Sequence, residues 1–145
     1  MAQAGAALHH GCMVMKLLIV EDSAPIRASL LGLLEGIEGL GSVHTAATLA
    51  QALEVVRHEL PGMVILDLRL PDGNAMHHIH TLKGLSPLMW IAVLTNDANE
   101  FVRDKCLKAG ANCFFDKSTE FEKVIDVARQ QARLHPAGLN AQTLH

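Results

Sequence analysis

The stretch Met63 to Gly73, MVILDLRLPDG, constrains the fold more than any other. Met63-Val64-Ile65-Leu66 has no polar face, which suits a strand buried on both sides of a parallel sheet and not an amphipathic edge. Asp67 stands at the end of that run, and Pro71, Asp72 and Gly73 turn the chain immediately afterwards. In open parallel sheets the strand C-termini line the crevice where ligands bind. Asp67 is therefore a candidate for chemistry, and the rest of the chain can be tested against that idea.

Four more apolar runs fit the same scheme. Lys16 to Val20 ends in Glu21 and Asp22, and Val43 to Ala46 makes a short second strand. Met89 to Leu94 leads into Thr95, and Asn112 to Phe115 leads into Asp116-Lys117. Helical stripes lie between them. Ser23, with Pro25 in the first turn, is expected to cap a helix whose inner face is Ile26, Leu30, Leu33, Leu34 and Ile37, stopped by Gly39 and Gly41. Thr48 and Gln51 form a capping box for a helix through Glu59. Asn74 caps a helix with Met76, Ile79 and Leu82 inward. Val102, Cys106 and Ala109 form the inner face of the next, which makes Cys106 a core filler. Ser118 or Thr119 is expected to cap the last helix, with Phe121, Ile125, Ala128 and Ala132 on one face. Strands and helices thus alternate five times, which predicts a doubly wound, five-stranded parallel α/β sheet of order 2-1-3-4-5.

At 145 residues the chain holds one domain. Residues 1–14 read as a flexible extension, 15–134 as the domain and 135–145 as a flexible tail. No apolar run approaches the roughly 20 residues that span a bilayer. A net charge of −3 provides no basic surface that suggests nucleic-acid binding. Cys12, Cys106 and Cys113 show no metal-ligand spacing and no secretory signal precedes them, which fits reduced thiols in the cytoplasm. The pair His9-His10 reads as solvated tail, and His77, His78 and His80 as exposed helix positions, although His77 and His80 are one turn apart.

In the predicted strand order the first and third strands are neighbours, so Glu21, Asp22 and Asp67 crowd at one rim. Close carboxylates repel unless a cation joins them, and hard oxygen ligands select Mg²⁺ or a similar divalent ion such as Mn²⁺. Lys117 arrives from the fifth strand. Asp67 can then attack a phosphoryl group whose oxygens the metal, the Thr95 hydroxyl and the Lys117 ammonium hold.

Through LLIVEDS, VILDLRLPDG, VLT and AGANCFFDKS the chain resembles the response-regulator receiver domain, of the flavodoxin-like or CheY-like fold, from Lys16 to about Arg133. The resemblance implies that Asp67 is the phosphoacceptor, Asp22 a direct metal ligand, Glu21 a ligand through water and Arg69 a backbone-carbonyl ligand. It further implies that Thr95 and Lys117 sense the phosphate and that Phe114 is the switch aromatic, acting on the face of the fourth helix, fifth strand and fifth helix. A histidine kinase or histidine phosphotransfer protein would supply the phosphoryl group, docking on the first helix around an exposed Leu31, and homodimerisation through the output face would be possible.

Two positions depart from the family. Ser118 replaces the usual proline after the lysine, which favours a trans bond since a non-proline cis bond costs roughly 3 kcal/mol. Asn96 replaces a small residue after Thr95. Phe114 has no hydroxyl to hydrogen-bond outside and is expected to sit inward, and Arg69 and Asp97 are expected to form a salt bridge. A haloacid-dehalogenase-type phosphatase would need an acid where Arg69 stands, and no glycine-rich nucleotide loop is present. The alternative is a receiver that signals by docking alone, without phosphorylation.

Overall fold

The computed structural model describes residues 14–135. His9, His10 and Cys12, read above as solvated tail and reduced thiol, and the two end segments beyond those bounds lie outside the described residues. Three apolar runs form the middle of a parallel sheet: β1 (Met15–Val20), β3 (Met63–Leu66) and β4 (Trp90–Thr95). The edges are β2 (Leu40–Ala46) and β5 (Cys113–Asp116), and the order is β2-β1-β3-β4-β5, as predicted.

Alternate residues of the central strands face opposite ways, and helices cover both faces. Leu18, Val64 and Val93 pack with α2 (Leu49–Glu59), α3 (Ile79–Leu85) and α4 (Glu100–Ala109). Leu17, Ile65 and Leu94 pack with α1 (Ala24–Leu34) and α5 (Lys123–Leu134). Burial on both sides explains why these strands read as continuous apolar runs. Cys106 is a core residue, and burial pushes its thiol up to about 11. Among the described residues no helix is long and apolar enough to cross a membrane.

Most helix starts follow their caps. Ser23 Oγ accepts the Ile26 amide at 3.3 Å, Thr48 Oγ1 the Gln51 amide at 3.1 Å, and Asn74 Oδ1 the Met76 amide at 2.9 Å, the last opening a 3₁₀ turn (Ala75–His78) before α3. Gln51 reaches back to the Ala47 amide at 2.7 Å, one residue before the cap. Asn99, expected only as loop, caps α4 through the Val102 amide.

Three boundaries differ from expectation. First, α1 stops at Leu34, a turn before Gly39, because Glu35 turns extended and Gly36 takes φ +77°. Ile37 still reaches the core from that turn, so the apolar periodicity outlasts the helix. Second, Gly41 is a strand residue and not a stop: β2 begins at Leu40, with a register irregularity opposite Met15 and Leu17. Third, neither Ser118 nor Thr119 caps the last helix. The Asp116 carboxylate takes both the Ser118 amide (2.9 Å) and hydroxyl (2.7 Å), which holds those residues in a turn. The helix begins at Lys123, so Phe121 lies in the turn before it.

Gly39 and Gly36 share a left-handed backbone but not surroundings. A Cβ on Gly39 would lie 2.8 Å from the Ala132 carbonyl oxygen in α5, whereas nothing lies within 4 Å of one on Gly36. Gly36→Ala should cost about 1 kcal/mol from the backbone alone, and Gly39→Ala about 2–3 kcal/mol once the clash is added. Urea unfolding midpoints test this, and equal losses would show that the packing of α5 on this turn tolerates the methyl group.

Candidate functional site

The sheet's own hydrogen bonding extends one residue past the strand ends and fixes the backbone under each candidate residue. The Glu21 amide donates to the Ala46 carbonyl (2.9 Å), the Asp67 amide to Val20 (3.0 Å) and the Lys117 amide to Thr95 (2.9 Å). Side chains leaving these positions converge at one rim. Glu21, Asp22 and Asp67 each offer a carboxylate oxygen within 4.8 Å of the others. Glu21 and Asp67 are buried, whereas Asp22 is exposed.

Lys117 joins the two buried acids. Its Nζ donates to Glu21 Oε1 at 2.7 Å and to Asp67 Oδ2 at 3.0 Å, with all three side chains nearly out of solvent. Burial works to lower the Lys117 pKa, but the hydrogen bonds and charges of Glu21 and Asp67 outweigh it and hold the ammonium above its ordinary range. Burial pushes the Glu21 carboxyl up, against the opposing pull of Lys117 and of the Ser23 amide, which donates to Oε2 at 3.0 Å. Three carboxylates against one ammonium leave two negative charges. An all-oxygen donor set of that charge fits a hard divalent cation such as Mg²⁺, with Glu21, Asp22 and Asp67 as the residues able to hold it.

The remaining candidates surround this cluster. Thr95 is buried, and its Oγ1 accepts the Asp97 amide at 3.0 Å. Asp97 Oδ2 in turn meets Arg69 Nη2 at 3.2 Å, the expected contact between the loops after β3 and β4. Asn96 is exposed beside Thr95. Phe114 is 7% exposed and packs in the core with Val93 and Val102, the expected inward position. It is not part of the acidic cluster. The bond to Ser118 is trans, in line with expectation: there are no cis peptides among the described residues. His77 and His80 are exposed, and no described group of three potential ligands includes them.

Two participants escaped the sequence reading. Arg27, one turn into α1, donates from Nη1 to the Glu21 carbonyl at 2.7 Å and so braces the β1–α1 corner. Asp72 accepts the Leu49 and Ala50 amides at 2.8 and 3.0 Å, which ties the turn after Asp67 to the start of α2 and holds the carboxyl below its usual range. A proline-flanked Asp was the only signal for the second, and nothing in the local pattern marked the first.

Lys117→Met would leave Glu21 and Asp67 facing each other without their shared cation. Removing one partner of a buried pair costs about 3–5 kcal/mol, so urea unfolding at neutral pH without divalent ions should show a loss of that order. The loss should shrink as pH falls, because protonation removes the uncompensated charge. A loss independent of pH would show that packing of the lysine stem, not charge, is what the variant removed.

Comparison with known proteins agrees with this geometry. Residues 17–129 match the response regulator receiver domain model. The transcriptional activator protein ExaE of Pseudomonas putida is 31% identical over 117 residues, covering 80% of this chain and 54% of that protein. The chain spans about half the length of the curated relatives it matches. Among solved structures, a CheY-like receiver domain protein from Methanospirillum hungatei superposes with a TM-score of 0.74 at 25% identity, covering 83% of this chain and 94% of that one. The beryllofluoride-activated NtrC4 receiver domain dimer gives 0.71 at 28% identity, covering 81% and 94%. With the sheet order, the carboxylate rim and the match over most of its length in agreement, the chain belongs to the response regulator receiver domains of two-component systems.

Proposed function

We propose that this domain accepts a phosphoryl group on Asp67 from a histidine kinase or histidine phosphotransfer protein and uses it to switch a protein-binding surface. The observation that carries this reading is the Lys117 ammonium held between Asp67 and Glu21 at the sheet rim. An Asp67 oxygen attacks phosphorus in line with the phosphorus–nitrogen bond of a phosphohistidine; that bond breaks, and its electron pair stays with the imidazole, which takes up a proton. Lys117 is placed to keep a hydrogen bond to the acyl phosphate, and Thr95 can turn its hydroxyl toward the new oxygens. Glu21, Asp22, Asp67 and the Arg69 carbonyl would hold Mg²⁺, which when bound neutralises the charge of the transferred group.

Exposed apolar surface supports the partner assignments. On α1, exposed Leu31 lines a groove of about 590 Å³ together with Ile37 and Val43, a suitable seat for a donor's helices, and Leu33, expected on the inner face of α1, is exposed instead. On α4, Phe101 is 68% exposed, with Lys105 Nζ 5.3 Å from its ring centre, on the face proposed to carry output or dimerisation. The NtrC4 neighbour is described as a dimer when activated by beryllofluoride, and ExaE as a transcriptional activator. The first favours a switch that acts through assembly.

Incubation with acetyl phosphate and Mg²⁺ should add one phosphoryl group by intact mass, absent in Asp67→Ala and without Mg²⁺. No addition, together with no beryllofluoride binding, would leave a phosphorylation-independent docking module as the function.

The Arg69–Asp97 pair spans the loops that flank Asp67, and Arg69 is mostly in water, so it adds little to stability. Its proposed effect is kinetic, as a screen against the attacking water. Arg69→Ala and Asp97→Ala should each speed loss of the phosphoryl group severalfold in a mass time course, and parental rates in both would remove that role.

A further inference from the structure

Lys117 delivers its ammonium to Glu21 and Asp67 from the first residue after β5, where the sheet ceases to hold the chain. Its amide makes the last rung of the ladder, to the Thr95 carbonyl at 2.9 Å. Beyond that rung, Lys117 to Glu122 belong to no helix or strand, since α5 begins at Lys123. A lysine side chain already carries about 2 kcal/mol of rotamer entropy. A backbone free to swing would add to the positions open to its ammonium, so residue 117 has to be fixed from its C-terminal side by something other than the sheet.

Two carboxylates of the loop do this. Asp116 Oδ1 accepts the Ser118 amide at 2.9 Å and the Ser118 hydroxyl at 2.7 Å. Glu120 Oε1 accepts the Asp116 amide at 3.0 Å, while the Asp116 carbonyl accepts the Thr119 and Glu120 amides at 3.3 and 2.7 Å. Every amide from Asp116 to Glu120 is thereby bonded, and all but that of Lys117 are bonded within the loop itself. Lys123 Nζ holds the other Glu120 oxygen, Oε2, at 3.1 Å. The Ser118 hydroxyl and amide keep the Asp116 carboxyl below its usual range, and the Asp116 amide and Lys123 do the same for Glu120, so both are charged acceptors at neutral pH. Neither pairs with the Lys117 ammonium, whose partners are Glu21 and Asp67. Their effect on it passes through the backbone.

We propose that Asp116 and Glu120 are positioning residues for Lys117: they close the turn around it and so aim its ammonium at Asp67 and Glu21. The placement stands on these contacts; its consequence for phosphoryl transfer rests on the phosphoacceptor role proposed for Asp67.

Urea unfolding without divalent ions tests the placement. Asp116→Ala should lower the midpoint in the parent, and most of that loss should disappear in the Lys117→Met background, where no ammonium is left to misplace. Asp116→Asn keeps the acceptor oxygen without the charge and should retain most of the parental midpoint. Glu120→Ala and Glu120→Gln should repeat this contrast from the other side of the lysine. With acetyl phosphate and Mg²⁺, the two Ala variants should each take up the phosphoryl group about tenfold more slowly by intact mass, within the ~10²-fold that a misplacement of ~1 Å can cost. The Asn and Gln variants should recover most of that rate. No loss of midpoint in Asp116→Ala, or equal losses in the parent and Lys117→Met backgrounds, would overturn the proposal, because the turn would then stabilise only itself. Asp116→Asn behaving like Asp116→Ala would overturn it too, by assigning the effect to charge. A parent that takes up no phosphoryl group would remove the phosphoacceptor reading instead, and the urea comparison would still decide the placement.

Discussion

The contact on which the site depends is Lys117 Nζ between Glu21 and Asp67. Two carboxylates and one ammonium, nearly excluded from water, are tolerable only as a set. Each ion alone would carry a desolvation penalty of several kcal/mol. The lysine therefore does two things at once: it permits two acids to be buried side by side, and it leaves the rim two charges short of neutrality once Asp22 is included. The same arrangement that is costly for stability creates the demand for a divalent cation.

Such an arrangement requires residues far apart in sequence to meet within hydrogen-bond distance, and the parallel sheet provides this. Glu21 and Lys117 are separated by 96 positions. They converge because every strand points the same way, so all the C-terminal ends share one rim. The ladder continues through the amides of Glu21, Asp67 and Lys117, which leaves their backbones little freedom. Arg27 and Asp72 then brace the two corners beside the rim from α1 and from the turn after β3. The scaffold's rigidity comes from strands buried on both faces, the same property that made them readable as apolar runs.

What could be read from the sequence divides along this line. Strands and site acids were legible because a buried strand followed by a polar residue is a one-dimensional signal, as in VILD and LIVED. Helix starts were legible where the cap had no rival partner, as at Ser23 and Thr48. They failed at Ser118, whose amide and hydroxyl are taken by Asp116, a competition that depends on the turn's shape. Arg27 was invisible because its partner is a backbone carbonyl, and Asp72 because its amide partners lie 22 and 23 residues away. The end of α1 was misplaced because Ile37 satisfies the core from a turn as well as from a helix. Periodicity reports burial, and burial does not specify the backbone that achieves it.

The position of Phe114 limits how a phosphoryl group could act. A ligand shifts an equilibrium only by its differential affinity for the two states. With Phe114 already packed against Val93 and Val102, inward rotation of the ring is not a change left to make. Thr95 is different. Its Oγ1 is engaged by the Asp97 amide, and Asp97 holds Arg69, so one hydroxyl connects the β4–α4 loop to the loop beyond Asp67. On the proposed reading, drawing that hydroxyl toward the phosphoryl oxygens competes with the Asp97 amide contact and loosens the segment leading into α4, where Phe101 stands exposed. The differential contact would then lie in the Thr95–Asp97 turn, with Phe114 already seated in the core.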